Sequence, residues 1–198
     1  MGARREERNP GPTPARRSQG GQSLVELSIS LVVLLLLAGG LFDISRAYFH
    51  SITLHDAARE GARHGAWFDQ VNHINPYLYN SEIKAAVDQT LTAAGLPAST
   101  LSTTTCPTTE DGNSLYNPPY LSRYYPSTLN QPLLFICYKN TPGISLTSAP
   151  TDPSLYESED LNVIVLESFG MVTGFVQTAV GNNIHVAANF HIVIQGFQ

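Results

Sequence analysis

The sequence predicts an α+β protein in which one long N-terminal helix crosses a membrane and continues into a small extracytoplasmic domain. That domain is expected to hold a short helix and a mainly antiparallel sheet of about four strands. Three observations carry this expectation. Leu27–Phe42 (LSISLVVLLLLAGGLF) is uncharged, with Glu26 and Asp43 at its ends. Helical spacing of small and apolar residues continues beyond it to Ala66. Near the C-terminus, Ile184, Val186, Ala188, Phe190, Ile192 and Ile194 alternate with a mostly polar set, the period-two pattern of a half-buried strand.

The first 20 residues, MGARREERNPGPTPARRSQG, lack large apolar side chains apart from Met1. Such a stretch cannot bury enough surface to offset its ordering entropy. Its five arginines (Arg4, Arg5, Arg8, Arg16, Arg17) against Glu6 and Glu7 give a local charge of +3, leaving −8 for the rest of a chain whose net charge is −5. An acidic body behind a basic start argues against a nucleic-acid partner, which would attract a basic folded domain. With 198 residues there is room for one modest domain plus appendages.

The sixteen residues from Leu27 to Phe42 span about 24 Å as a helix, slightly short of the roughly 30 Å hydrocarbon core. Including Leu24 and Val25 brings the span (24–42) into range, with Glu26 near the interface. The Leu31–Leu37 block is apolar on every face, unlike a surface helix, which needs a polar side. The lipid bilayer is therefore the first partner. Arginines favour the cytoplasmic side, placing the protein in the inner (cytoplasmic) membrane as a single pass with its C-terminal part outside.

Past the span, no proline occurs between Asp43 and Ala66, and Ile44, Ala47, Tyr48, Ile52, Ala58, Ala62 and Gly65 recur at spacings of three and four. Asp43/Arg46, Asp56/Arg59 and Glu60/Arg63 sit three apart, as ion pairs on an exposed helix would. A helix from Gln22 to Ala66 would be about 67 Å long, with roughly half of it clear of the bilayer. Asn72–Asn80 reads as a turn region. Ser81–Gly95 (SEIKAAVDQTLTAAG) reads as an amphipathic helix, with Ser81 as cap, Ile83, Ala86, Val87 and Leu91 inward, and Gly95 ending it. Strands are expected at Thr100–Thr105, Leu133–Lys139, Leu161–Phe169 and Ile184–Ile194. Gly170–Val180 fits a short helix or a loop. Two long connections, 106–132 and 140–160, are rich in Pro, Ser, Thr, Asn and Tyr; loops of such length are commonly functional or mobile.

The sharpest signal lies where the basic start meets the apolar run. A secretory signal is cut after its apolar core, past an A-x-A-like pattern, and no good site of that kind follows here. Instead Gly21 stands directly before the apolar segment, with Gln22 after it, Glu26 five positions on and Arg16 and Arg17 upstream. This resembles the leader of type IV prepilins and pseudopilins. The resemblance implies cleavage between Gly21 and Gln22 by a membrane aspartic prepilin peptidase, making Glu26 the fifth residue of the mature chain. It also implies that the amine created at Gln22 partners such a glutamate, in pilins on a neighbouring subunit. A carboxylate in a membrane helix costs about 2–3 kcal/mol at the bilayer centre, so Glu26 gains by finding a cation; the plainer reading is an interfacial residue reaching for water.

A longer run, Gly21-Gln22-Ser23-Leu24-Val25-Glu26, the leucine block, Phe42-Asp43-Ile44-Ser45-Arg46 and Asp56-Ala57-Ala58-Arg59-Glu60-Gly61-Ala62-Arg63, resembles the TadE-like family, pseudopilins of tight-adherence (Flp pilus) systems. Leu27 stands where that family often has an aromatic. The resemblance covers roughly residues 20–66 and implies a pilin-like fold, a leader (1–21), a long helix (22–66), an extracytoplasmic domain (67–198), and other pilin or pseudopilin subunits as partners. Within it Ala57, Ala58, Gly61, Ala62 and Gly65 make a small-residue stripe that lets a helix or sheet approach closely, while Arg59, Glu60 and Arg63 decorate the other side. An ordinary alanine-rich surface helix is the alternative.

Cys106 and Cys137, the only two cysteines, enclose 30 residues. Outside the cytoplasm a disulfide between them is the expected state. It would tie a loop bearing Tyr116, Tyr120, Tyr124 and Tyr125 to the strand at 133–139; those tyrosines suit partner contacts and packing over the sheet equally. Catalysis finds little support. His50, His55, His64, His73, His185 and His191 show no metal spacing, and His185 and His191, about 20 Å apart along one strand, read as surface residues. Glu110-Asp111-Gly112-Asn113 resembles a turn more than a calcium loop, and no GxSxG, P-loop or dinucleotide fingerprint occurs. No metal or cofactor is implied. Two functions fit: a processed structural pseudopilin, or an uncleaved membrane-anchored protein that binds or senses through its loops.

Overall fold

The computed structural model describes residues 20–103, 105–110, 118–138 and 160–194. Its elements in chain order are α1 (Gly20–Gly65), α2 (Asn80–Ala93), β1 (Thr100–Leu101), a 3-10 turn (Ser122–Tyr124), β2 (Leu133–Tyr138), β3 (Asp160–Gly170), α3 (Gly174–Val180) and β4 (Asn183–Val193). The chain divides into two compact units, one ending at Ala38 and the other starting at Gly39.

In the first unit, every residue from Gly21 to Ala38 is helical and exposed. The helix is long and apolar enough to cross a membrane, with a mean hydropathy of 2.4 over a window buried to 0% within the protein. An apolar surface that the described residues leave bare on all sides calls for a cover, because exposed apolar area costs about 25 cal/mol per Å² in water.

The second unit is a four-stranded sheet ordered β1-β2-β3-β4. β2/β3 and β3/β4 pair antiparallel, with Phe135 opposite Ile164 and Val165 opposite Ala188. β1 pairs parallel to β2, Thr100 against Leu133, so the sheet is mixed. A parallel pair requires a long crossover, and the connection after β1 supplies it. β1 is also shorter than expected: the Ser102 amide donates to the Leu134 carbonyl, and the strand ends at Leu101. β3 is buried along nearly its whole length, which explains its apolar run Val163–Leu166; central strands covered on both faces read that way.

One sheet face carries α1 and α2. Leu134, Ile136, Leu161, Val163, Val165 and Phe169 pack there with Leu54, Ala58, Ala62, Ile83, Val87 and Leu91. In α1, Asp43, His50, Thr53, Leu54, Ala57, Ala58, Gly61, Ala62 and Gly65 point inward at alternating spacings of three and four, the geometry of one helical face. Ile44, Tyr48 and Ile52 fall on the outer face.

In α2, Ile83, Ala86, Val87 and Leu91 are buried. Ser81 is not its cap. The N-cap is Tyr79, whose carbonyl accepts from the Glu82 and Ile83 amides. The helix begins early because the Tyr138 hydroxyl of β2 holds its start, 2.8 Å from the Leu78 carbonyl and 2.7 Å from Asn80 Oδ1. Gly95 follows the last turn at φ +81°, a conformation that suits glycine at a helix end. The 170–180 segment resolves into α3.

Cys106, Tyr120, Tyr125, Phe135, Cys137, Ile164 and Leu166 form a second cluster. Cys106 and Cys137 are disulfide-bonded, with Cα atoms 6.0 Å apart. Tyr120 and Tyr125 are buried, and Tyr125 stacks on the His185 ring at 4.0 Å. These two tyrosines therefore pack over the sheet. Tyr116 and most of the 140–160 connection lie outside the described residues.

Candidate processing site and juxtamembrane cluster

Gly21 and Gln22 occupy the first turn of α1, which starts at Gly20 and carries no acidic residue there. No atom lies within 4 Å of where a Cβ on Gly21 would stand. The Gln22 side-chain amide donates to Glu26 Oε1 at 3.1 Å, one helical turn on, and both residues are exposed. The first four N–H groups of a helix lack intrahelical acceptors, and glycine leaves the backbone there conformationally free. Two glycines at that end therefore leave the first turn free to unwind. Hydrolysis after Gly21 would place a new amine, cationic at neutral pH with an ordinary pKa near 8, on the residue that already reaches Glu26.

A second cluster forms where the apolar run ends. Asp43 is 2% exposed and accepts hydrogen bonds from the Val172 amide (3.1 Å), the Thr173 amide (3.0 Å) and the Thr173 hydroxyl. Arg46 lies 3.8 Å from Asp43 and spreads over the Phe42 and Phe169 rings at 5.9 and 5.1 Å. A turn further, His50 Nδ1 contacts Glu167 Oε1 and Oε2 at 3.0 and 3.1 Å, in a site where Glu167 is fully buried. Phe169 meets the His50 ring edge-on at 4.9 Å.

Sequence reasoning placed Asp43 in an exposed ion pair and gave His50 no partner. The available signal was register: Asp43, Ala47, His50, Leu54 and Ala57 share a face, so the polar members of that face had to be inward and in need of partners. Of the other expected pairs, Arg63 binds Glu60 at 2.6 Å, whereas Arg59 sits 6.0 Å over the Phe190 ring.

The small-residue stripe faces α2 and the sheet. A Cβ on Gly61 would stand 2.5 Å from Val87 Cγ2, and one on Gly65 would stand 2.7 Å from Ile83 and 2.9 Å from Leu161. Ala57, Ala58 and Ala62 are fully buried. In α2, burial would raise the Asp88 pKa, but hydrogen bonds from Lys84 and from the Ser99 hydroxyl and amide (both 2.7 Å) outweigh it and hold the carboxyl below its usual range. Burial raises the Tyr120 phenol well above its ordinary value. Among the described residues, no group of three or more His, Cys, Asp or Glu is placed to hold a metal ion.

A bare apolar N-terminal helix joined to a short-helix-and-sheet unit is the profile of a single-pass membrane protein carrying an α+β domain. Residues 21–63 match the family described as TadE-like protein. This match, the one the sequence motifs led us to expect, suggests a Tad pilus-associated protein. It covers α1 nearly to its end and none of the sheet. No curated protein and no solved structure matches the chain.

Proposed function

We propose that this chain is a TadE-like pseudopilin, a minor structural or assembly component of a tight-adherence pilus or secretion system. A prepilin peptidase removes residues 1–21 between Gly21 and Gln22. Residues 22–66 then anchor the protein in the inner membrane through the span at 24–42, and residues 67–198 form the domain outside the cytoplasm. The observation that carries this reading is Gly21–Gln22 in the exposed first turn of a helix whose residues are bare through Ala38. The TadE-like match over residues 21–63 supports it.

Glu26 serves assembly in this reading. The mature N-terminal amine and this carboxylate neutralise one another within or between subunits, lowering the cost of holding charge at the membrane edge. Other pilin or pseudopilin subunits are the partners, and the role is structural rather than catalytic.

Expression with and without the cognate peptidase tests the proposal. Co-expression is expected to remove the mass of residues 1–21 and leave Gln22 as the first residue, and Gly21→Ala is expected to block that loss. A leader retained beside an active peptidase returns the alternative, an uncleaved membrane-anchored binding or sensor protein.

A further inference from the structure

α3 and the turn before it lie against the end of the apolar run. Thr173 Cγ2 lies 3.0 Å from where a Cβ on Gly39 would stand, and Val176 Cγ2 lies 3.8 Å from the same point on Gly40. The Asp43 carboxylate fixes this contact through the Val172 and Thr173 amides. Gly39 and Gly40 thus serve as a notch in α1 that seats α3. The segment so held is uncharged from Ser168 to Ile184. Yet it turns Val172 (65% exposed) and Phe175 (57%) outward, at the level where α1 itself exposes Leu41, Phe42 and Ile44.

We propose that the Met171–Val180 connection is a second membrane-contacting element, with Val172 and Phe175 dipping into the outer boundary of the bilayer beside α1. This rests on the reading of residues 24–42 as the membrane span. Because α3 packs on Gly39 and Gly40, before the last residue of that span, its exposed side chains fall within about 5 Å of the hydrocarbon edge at 1.5 Å of rise per residue. Interfacial apolar groups settle at about that depth, roughly 5–10 Å into the headgroup and acyl boundary. Within the same unit, Leu41, Phe42 and Ile44 of α1 are exposed apolar side chains as well. Arg46 lies at the same level, with its guanidinium carbon over the Phe42 and Phe169 rings and its side chain 29% exposed. The occupant this chemistry selects is the lipid surface.

Spin-label accessibility tests it on the full chain in phosphatidylethanolamine–phosphatidylglycerol vesicles. The two native cysteines are joined to each other, so single labels can be placed at Val172→Cys, Phe175→Cys, Leu35→Cys and His191→Cys. Labels at 172 and 175 are expected to collide with oxygen in excess over a water-soluble nickel complex, as the label at 35 does. The label at 191, on an exposed position of β4, is expected to favour nickel. Water-like accessibility at 172 and 175 with a lipid-like label at 35 overturns the inference and leaves the span standing. Water-like behaviour at 35 as well overturns both. Immobilised labels at 172 and 175 shielded from both reagents indicate a protein contact there, and also overturn it.

Discussion

Gly61 reverses an ordinary rule. In a helix interior Gly→Ala normally gains about 1 kcal/mol, but here the added methyl meets Val87 Cγ2 at 2.5 Å. Gly61→Ala is therefore expected to lower the thermal midpoint in detergent micelles, at a cost of about 1–3 kcal/mol for overpacking. Adding Val87→Ala should recover part of that loss; a stabilised Gly61→Ala single variant would show that the helices do not meet there. The pair His50–Glu167 follows a different logic. Truncating Glu167 to Leu strands a buried imidazole, which should cost about 1–3 kcal/mol. Glu167→Leu combined with His50→Phe should recover much of that loss, since an apolar pair of similar volume can replace buried polar partners. Additive losses in chemical denaturation would contradict the coupling. Neither pair was legible in the sequence: His50 and Glu167 stand 117 positions apart, and only the fold brings them together.

Elements defined by local periodicity were readable nearly to the residue. β4 is found at Asn183–Val193 and expected at 184–194; α2 buries the four side chains its spacing selects. What escaped was set by distant contacts. The parallel pairing of β1 depends on where the crossover lies, and the start of α2 depends on Tyr138 of β2. The choice between contact and packing for Tyr120 and Tyr125 depended on the second cluster beneath them. The crossover is fastened by Cys106–Cys137, a sequence separation of 31. Replacing both cysteines by serine should cost about 3–4 kcal/mol on loop-entropy grounds and expose the 106–125 segment to protease before the sheet unfolds. In α2 the depressed Asp88 carboxyl links stability to acid. Its folded pKa lies below its unfolded value of about 3.9, so its contribution is complete above that value and fades as pH falls through the folded one. Asp88→Asn should flatten the acid limb of a stability-versus-pH curve; an unchanged limb would remove Asp88 as its source.

For the molecule as a whole, the apolar helix governs where the protein resides. Leu34→Arg with Leu35→Arg adds about 2.5–3.5 kcal/mol per residue at the centre of the span. This pair should shift the protein from the carbonate-resistant membrane pellet toward the soluble fraction; full retention in the pellet would argue against insertion through 24–42. The long apolar helix was legible because its residues are contiguous in sequence. The juxtamembrane cluster was not, because Asp43 and Arg46 read equally well as a surface pair until Thr173 and Phe169 are seen beside them. That cluster has a mechanical meaning. Asp43 grips the turn leaving β3, and His50 grips Glu167 within β3 itself. Tension applied along that part of the helix would thus reach the central strand through two side-chain clamps as well as through the peptide link at Gly65.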